Sequence, residues 1–491
     1  MTTCEATAFR LVLGAWVIGA IFVAMKRGRF RARLGLAALA LGLAAGALGA
    51  GSDPGDLPRT GVGGRRVCSD APLVFSEPLQ LGSGQGYEPS IDVDSAGTIF
   101  VTAHKQSLVA EGARAASWLW RSIDDGATFQ DMSGLLGTTE QAYALEGDLA
   151  VDGEDRLYFV DTWLGDNHAY RFSDHGSTLD SVRPVLATAE ADDRPWLAAH
   201  GDGFVYYLSN TAFKHDGRLT LHRSTNGGAS FDPIGFTFPK SGWGFIDADP
   251  NGPDVYGVFD DLFYGTGPLG NALAVYGWHS PDRGESWQQV KVADLRYGPY
   301  NSAGYPTVAV SPADGTVWAL WLDGDSAMML ARSSDKGATW DVDDIAPFEG
   351  SYEYAWLDVG PSGDVGVVFS AAAVALGEEA DDQRPYAMLV QPSPRCLTDP
   401  ENASSQCTES WGARYVALQQ DTAGEQADFF QLAFTPDNVI NVAYTDRDHG
   451  TVLKFVRQSA GANLSSREVC GFRGSLLPGA QVTAHGRPIH E

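Results

Sequence analysis

Basic residues are scarce in this sequence. Its 491 residues include 34 Lys and Arg against 62 Asp and Glu, which gives a formal net charge of −28. So acidic a surface repels phosphate, which argues against nucleic acid as a partner. It also disfavours contact between the main part of the chain and anionic membrane surfaces. We therefore expect a solvated exterior and no nucleic-acid partner.

Familiar catalytic and metal-binding motifs are also missing. The 10 histidines form no closely spaced pair that would indicate zinc, and no Gly-x-Ser-x-Gly elbow indicates a serine hydrolase. Residues 247–252 (Asp-Ala-Asp-Pro-Asn-Gly) resemble the start of a calcium loop, but the twelfth position is Val258 instead of the required Glu. We therefore predict no metal and no cofactor, with calcium at this segment as the alternative.

Long apolar runs are confined to the N-terminus. Residues 11–25 and 34–50 are apolar and flank a basic segment at 26–33. If translation starts at Met25, the basic residues and the second run form a secretory signal that ends in a small-residue cleavage site at 47–50. If Met1 is the start, the two runs form a membrane hairpin, although each is short for a span. In both cases we expect the rest of the chain to be extracytoplasmic, either secreted or anchored by this segment.

What the sequence does contain is one octet written repeatedly. The pattern S-x-[DN]-x-G-x-[TS]-[WF] occurs four times, and a fifth, degraded copy begins at Phe172. The starts at 122, 172, 224, 280 and 333 are separated by 50, 52, 56 and 53 residues. A period near fifty indicates one structural unit repeated along the chain.

Each octet has the composition of a tight turn. The side chain of its third residue can accept hydrogen bonds from the backbone ahead, its glycine supplies a positive φ, and its final aromatic ring packs into an apolar layer. The third residues are Asp124, Asp174, Asn226, Asp282 and Asp335. The octet resembles the Asp box, or BNR repeat, of the sialidase superfamily. The resemblance implies a β-propeller in which these turns are structural and lie far from the active site.

Seven strand pairs accompany the octets. Each alternates apolar and polar residues around a Gly, Asp or Asn turn, at 91–101, 149–161, 196–208, 245–259, 307–322, 355–369 and 432–444. Five are followed by a third strand, an octet and a fourth strand, and the last two have lost the octet. Four antiparallel strands repeated around a circle form a propeller. We predict an all-β chain with one β-propeller of seven four-stranded antiparallel blades, and six blades as the alternative.

The predicted organisation has four parts. They are an export signal or membrane anchor at 1–50, a Gly- and Pro-rich linker at 51–75, the propeller at 76–475 and a C-terminal tail at 476–491. Because a closed ring leaves no long exposed sheet edge, we expect a monomer.

Cysteine is rare, with five in the chain. Beyond Cys4, an even number in an exported chain indicates disulfides. Of the three pairings we favour Cys396–Cys407, which closes a short loop, and Cys68–Cys470, which joins the two ends of the ring. Free buried thiols are the alternative.

Propeller geometry assigns residues to two faces. If the strands of a blade are called A to D from the axis outward, the octets join C to D and share one face with the A–B turns; we call it the octet face. The opposite face, the mouth face, carries the starts of the A strands and the ends of the B strands. Ligands favour such mouths. Aromatic rings there can stack on a sugar, and carboxylates can bind its hydroxyls or transfer protons. The mouth-face residues include Glu88, Asp148, Asp193, Arg194, Trp196, Trp243, Tyr305, Glu353 and Tyr354, with Asp161, Asp260, Asp261, Asp323 and Arg447 at B-strand ends.

The sialidase resemblance implies individual roles. Family members clamp the substrate carboxylate with three arginines and use a Tyr nucleophile assisted by a Glu, with an Asp as acid/base. The catalytic candidates that match these types are Asp148, Glu353 and Tyr354. The substrate-binding candidates are Glu88, Asp193, Arg194, Trp196, Tyr305, Arg384 and Arg447. The family's Phe/Tyr-Arg-Ile-Pro signature is replaced by Tyr-Glu-Pro-Ser at 87–90.

Three functional hypotheses follow. The first is an exported propeller directed at carbohydrate, as a sialidase-like glycoside hydrolase of the exo-α-sialidase type. The second is a non-catalytic propeller that recognises a protein or a cell-surface glycan, and the third is a structural surface protein without a small ligand. Convergence of Arg194, Arg384 and Arg447 on one carboxylate would separate the first from the second. The expected partner is a glycan or glycoprotein, with membrane contact only through the N-terminal segment.

Overall fold

The computed structural model describes most of the chain from residue 73 onward. The described residues are 73–105, 117–136, 146–163, 166–184, 193–210, 219–233, 235–239, 241–261, 273–296, 305–324, 326–378, 382–397, 406–424, 430–460, 473–477 and 480–482. All of them belong to one compact unit, Arg65–Glu491. Within these ranges, no helix is both long and apolar enough to cross a membrane. The predicted N-terminal signal or anchor lies outside them.

The described part of the chain begins with two strands and then forms three consecutive four-stranded sheets. The strands are β1 (Val74–Phe75), β2 (Leu79–Gln85), β3 (Tyr87–Val93), β4 (Ile99–His104), β5 (Trp118–Ser122), β6 (Gln130–Asp131), β7 (Glu146–Val151), β8 (Leu157–Trp163), β9 (Asp166–Ser173), β10 (Thr178–Pro184), β11 (Asp193–Gly201), β12 (Phe204–Asn210), β13 (Leu219–Ser224) and β14 (Phe236–Thr237). Blades one to three are β3–β6, β7–β10 and β11–β14.

Four further sheets complete the ring. Their strands are β15 (Gly244–Ala248), β16 (Val255–Asp260), β17 (Ala274–Ser280), β18 (Gln288–Asp294), β19 (Thr307–Val310), β20 (Val317–Leu322), β21 (Met328–Ser333), β22 (Asp341–Asp344), β23 (Gly350–Val359), β24 (Val365–Ala373), β25 (Arg384–Leu397), β26 (Gln406–Ala417), β27 (Gln431–Phe434), β28 (Ile440–Asp446), β29 (Val452–Ala460), β30 (Arg473–Leu477) and β31 (Ala480–Val482). Blades four to six begin at β15, β19 and β23, and blade seven at β27. Two short 3-10 helices, Ser133–Leu136 and Val374–Leu376, lie between strands.

The inner strands close a circle. Each contacts the inner strand of the next blade, in the order β3, β7, β11, β15, β19, β23, β27 and back to β3. The prediction of an all-β propeller with seven antiparallel blades is therefore confirmed, and the six-blade alternative is wrong. The second strands are the most buried: every residue of β16, β20, β24 and β28 is buried, because neighbouring blades cover both faces of each sheet.

The two ends of the chain meet in blade seven. Strands β1 and β2 both pair with β29, with Val74 opposite Ala460, so an N-terminal segment supplies the outer edge of the last blade. Strand β30 pairs in parallel with β26 and then with β31, which extends blade six. The sheets thus include residues 74–75 and 480–482, which fall outside the predicted propeller bounds of 76 and 475.

The register places two cysteines opposite each other. Cys396 of β25 pairs with Cys407 of β26, and directly opposed strand residues are roughly 4.5–5.5 Å apart at Cα, a separation that a disulfide can bridge. This bond stays a prediction. Cys68 and Cys470 lie outside the described residues.

The octets form the expected turns. In the four clear copies the third side chain accepts a hydrogen bond from the N–H four residues ahead, at 2.8 to 2.9 Å. The first serine hydroxyl accepts one from the N–H of the octet glycine, at 2.7 to 2.9 Å. In the degraded copy, the Ser177 hydroxyl donates to Asp174 at 2.6 Å instead. The residue before the glycine also has a positive φ, for example Asp125 at 60° beside Gly126 at 78°.

That extra positive-φ residue joins neighbouring blades. His175 Nδ1 lies 2.8 Å from Asp94, and Lys336 Nζ lies 2.8 Å from Asp254. Both aspartates belong to the A–B turn of the preceding blade. The octets therefore share one face with the A–B turns, as predicted, and the A-strand starts lie at the opposite face.

Candidate functional site

An aromatic row lies at the mouth face of blades four, five and six. Trp243 and Tyr305 lie just before the A strands β15 and β19, and Tyr354 lies at the irregularity within the A strand β23. Their ring centroids are 4.9 Å apart between Trp243 and Tyr305, and 6.2 Å apart between Tyr305 and Tyr354. All three side chains are partly exposed. The row offers a continuous aromatic surface across three blades.

The backbone beneath this row is strained. Tyr305 has φ 57° and Tyr354 has φ 42°, and Glu88 at the corresponding place in blade one has φ 49°. Such conformations cost roughly 1–3 kcal/mol in a residue with a Cβ, and they concentrate at binding sites. The pairing of β23 with β24 is irregular between Glu353 and Ala355, and a bulge of this kind redirects side chains. The fold thus places Tyr305 and Tyr354 in orientations that a regular strand would not provide.

A second aromatic layer closes the channel below the row. Trp196, Phe245 and Trp356 come from blades three, four and six, and their centroids are 4.7 to 5.3 Å apart. Trp196 is 2 % exposed and Trp356 is 5 % exposed. Because blades three and six are not neighbours, these rings meet across the axis. Trp196, predicted as a substrate-binding residue, lies in this plug with its ring faces covered by protein.

Asp148 of blade two accepts hydrogen bonds from both neighbouring blades below the mouth. Its carboxylate accepts hydrogen bonds from the Ser90 hydroxyl at 2.6 Å and from the Leu197 N–H at 2.7 Å. Burial raises its pKa to about 7, a value suited to proton transfer. The side chain is 1 % exposed, however, and so lies away from solvent. Its position is that of an inter-blade hydrogen-bond acceptor, and the predicted acid/base role stays untested.

The aspartates at the B-strand ends hold loops. All of them are buried, and their carboxylates accept backbone N–H groups: Asp161 from Ser117, Asp260 from Trp243, Asp261 from Leu273, and Asp323 from Arg296. Burial raises the pKa of Asp161 to about 7. The hydrogen bond from the Trp243 N–H to Asp260 also fixes the backbone of Trp243. These acids therefore support the mouth from below.

The three arginine candidates differ in their surroundings. The guanidinium of Arg384 forms an ion pair with Glu378 and is largely buried. Arg447 is exposed, and its N–H donates to the Ala423 carbonyl at 2.7 Å. The side chains of Asp193 and Arg194 lie outside the described residues. Arg384 is thus already bound to a carboxylate of the chain itself.

Glu88 lies on blade one, apart from the aromatic row in sequence and in blade order. Its carboxylate lies 3.5 Å from His104 Nε2, and the Tyr87 ring stacks on His104 with centroids 5.3 Å apart. Glu88 is 8 % exposed. The structure therefore groups Trp243, Tyr305, Glu353 and Tyr354 on adjacent blades, while Glu88 and Asp148 belong to blades one and two.

Sequence analysis missed a set of carboxylates inside the channel. Asp92, Asp247 and Asp358 occupy the same position of their A strands, and each accepts an N–H from the next blade at 2.7 to 3.2 Å. Burial raises their pKa values to about 6, 7 and 8, and repulsion from neighbouring aspartates contributes. The signal was an Asp at the penultimate position of three of the seven inner strands. Asp247 is the first residue of the predicted calcium segment; within the described ranges, no group of three His, Cys, Asp or Glu side chains is placed to hold a metal ion.

Comparison with known proteins gives similar solved structures only. No family model matches the chain, and no curated protein matches it. A protein of unknown function from Dyadobacter fermentans is 14% identical, with a TM-score of 0.43 over 79% of this chain and 99% of that one. An α-L-arabinanase from Penicillium chrysogenum is 18% identical, with a TM-score of 0.41 over 62% and 93%. An intramolecular trans-sialidase from Ruminococcus gnavus is 11% identical, with a TM-score of 0.42 over 82% and 98%. The functional argument therefore rests on the residues of this chain.

Proposed function

We propose that this protein is an exported β-propeller that binds carbohydrate at its channel mouth. The observation that carries the proposal is the row of Trp243, Tyr305 and Tyr354, which three adjacent blades hold at the mouth face. Aromatic faces pack against the apolar side of a sugar ring, and their burial on binding favours the complex. Glu353, in the same segment as Tyr354, supplies a carboxylate for hydroxyl groups.

The net charge of the protein favours a neutral glycan over an anionic one. The net charge of −28 disfavours an anionic ligand, and Arg384 is already paired with Glu378. A neutral glycan needs neither a cationic clamp nor the release of that ion pair. Recognition of a neutral glycan is therefore the function that we favour for the mouth.

Hydrolysis of sialosides is the second candidate. Glu353 and Tyr354 are adjacent at the mouth and match the residue types of a carboxylate-assisted tyrosine nucleophile. For this reaction, Arg384 would have to exchange Glu378 for the substrate carboxylate. Removing a partner from a largely buried ion pair is costly, which is why we rank this reaction second.

Binding tests the first candidate. We would titrate the propeller against a panel of neutral and sialylated oligosaccharides and then repeat the best titration with Tyr305→Ala and Tyr354→Ala. Each substitution removes a stacking ring, so we expect affinity to fall by about tenfold, which corresponds to about 1.4 kcal/mol. Tyr276→Ala, a partly exposed tyrosine of strand β17, is the matched control. Unchanged affinity in both mouth variants would refute the proposal.

Turnover separates the two candidates. The same protein is assayed with a fluorogenic sialoside and with a wider glycoside set. Recognition alone predicts binding without turnover. Sialoside turnover that disappears in Tyr354→Phe would instead establish the hydrolase.

A further inference from the structure

A groove opens between blades four and five on the octet face. Its volume is about 330 Å³. One wall comes from strands β16, β17 and β18, and the other from the octet at 333–340. This size lies at the lower end for ligand pockets and suits a single ring.

The glycine of this octet lacks an aromatic neighbour that the other octets have. At those four octets, a ring of the preceding blade lies close to the point where a Cβ would stand, at 2.4 Å for Gly126–Phe455 and Gly176–Phe100 and at 3.4 Å for Gly228–Tyr158 and Gly284–Tyr206. At Gly337, the one described atom within 4 Å of that point belongs to Trp340 of the same octet, at 3.6 Å. No described ring of the preceding blade therefore comes within 4 Å of that point at Gly337.

The residue before the octet explains why the Tyr256 ring is not beside Gly337. Four of the five octets follow an arginine, and two of these arginines cross to the next blade: Arg171 Nη1 donates to the Gly227 carbonyl at 3.1 Å and Arg223 Nη1 to that of Arg283 at 3.0 Å. Blade four has His279 at this position. Its ring stacks on Tyr256, with centroids 4.9 Å apart and planes 12° apart.

A second small residue widens the same groove. Gly277 lies three positions before its octet, where three other blades carry Leu119, Leu221 and Leu330. A Cβ at Gly277 would lie 3.2 Å from Trp340 and 3.3 Å from Val292. Three features therefore open this interface. His279 stands in place of the usual arginine, Gly277 stands in place of leucine, and the Tyr256 ring stacks on His279.

The charged side chains along the groove have partners within the protein. Asp254 Oδ2 lies 2.8 Å from Lys336 Nζ, and its Oδ1 lies 2.5 Å from His279 Nε2. Asp335 is bound within its own octet by Thr339 at 2.6 and 2.9 Å. The remaining lining combines aromatic and aliphatic surface with the amide of Gln288. A charged ligand would have to compete with these contacts, whereas an uncharged ring with one apolar face and a polar edge would not.

We propose that the groove between blades four and five binds a single neutral sugar ring. The site is separate from the mouth, since it lies among the octets on the opposite face, and it does not depend on the proposed function. Trp340, which is partly exposed, provides the aromatic surface, and Gln288 with the Lys336–Asp254–His279 group provides the polar edge.

The test first eliminates glycan binding at the mouth by substitution. Saturation-transfer NMR is recorded on the full chain carrying Tyr305→Ala and Tyr354→Ala, with neutral methyl hexosides and methyl pentosides as probes and a methyl sialoside as the anionic comparison. We expect transfer to at least one neutral probe and at least fivefold less to the sialoside. Adding His279→Arg restores the residue used at the other octets and should remove the transfer.

Two controls keep the result interpretable. Gly277→Leu fills the groove by a different route and should give the same loss, and Gly277→Ala is the milder version if leucine prevents folding. Arg332→His makes the converse exchange in blade five and should leave the transfer unchanged. Absence of transfer in the mouth variant, or transfer that survives both groove-filling changes in folded protein, would overturn the proposal. If the wild-type protein binds no glycan at the mouth, the proposed function fails but the groove proposal does not.

Discussion

At the scale of single residues, the octets show how far composition determines a turn. The hydrogen bonds to Asp124, Asn226, Asp282 and Asp335 follow from their side chains and were predictable. The positive φ of the residue before the glycine was not, because Asp125, Arg283 and Lys336 have side chains that usually avoid that conformation. Contacts with the preceding blade support it, and such contacts are invisible in one octet considered alone.

Two octet glycines provide a matched pair of substitutions. Gly176 and Gly337 have φ 76° and 80°, so alanine should cost a similar backbone strain of about 1 kcal/mol at each. Only Gly176→Ala also drives a methyl group into the Phe100 ring, and overpacking adds roughly 1–3 kcal/mol. Urea unfolding should therefore show a clearly larger loss of stability for Gly176→Ala. Equal losses would mean that the groove at Gly337 is closed in solution.

At the scale of elements, the inner strands close the ring and also position the aromatic residues of the mouth. Their alternation was readable from the sequence, and so were the seven strand pairs. The sequence did not show which aromatic side chain is exposed: Trp196 and Trp243 were both predicted at the mouth face, yet Trp196 meets Phe245 and Trp356 across the axis. That contact joins residues far apart in sequence and depends on the diameter of the ring.

These two tryptophans should respond differently to truncation. Trp196→Ala empties part of a buried plug and should cost about 3–5 kcal/mol of unfolding free energy. Trp243→Ala removes a partly exposed ring and should cost clearly less stability while weakening glycan binding. Denaturant unfolding and ligand titration of both variants check this. Similar destabilisation by the two changes would contradict the two-layer arrangement.

At the scale of the whole molecule, ring closure was predicted but its means was not. The strand that completes blade seven comes from residues 74–85, which the sequence pattern assigned partly to a linker. Nothing local marks a strand whose partner lies more than 350 residues away. The same holds for the channel carboxylates, since the surroundings that raise the pKa values of Asp92, Asp247 and Asp358 form only once the blades meet.

Those carboxylates predict how stability varies with pH. Their pKa values in the fold, about 6, 7 and 8, lie above the ordinary value of 3.8, so the folded state retains protons that the unfolded state loses. Stability should therefore fall as pH rises from about 5 to about 8. Burial raises the pKa values of Asp148 and Asp161, and the bond to Asp94 raises that of His175, which acts in the same direction.

A single substitution tests this source of pH dependence. Asp358→Asn removes the titrating group with the highest of the three channel pKa values, and we expect a flatter dependence of melting temperature on pH between 5 and 8. Asp341→Asn, at a solvent-exposed position in an outer strand, is the control and should leave the slope unchanged. A wild-type melting temperature that rises over this interval would contradict the assignment.

A crystal structure of the propeller with the tightest-binding neutral oligosaccharide would test the central claim most directly. We predict electron density for a sugar ring packed on Tyr305 and Tyr354, with Trp243 beside it and the Trp196 plug unchanged below. An empty mouth at saturating ligand, with density at another surface alone, would contradict the account.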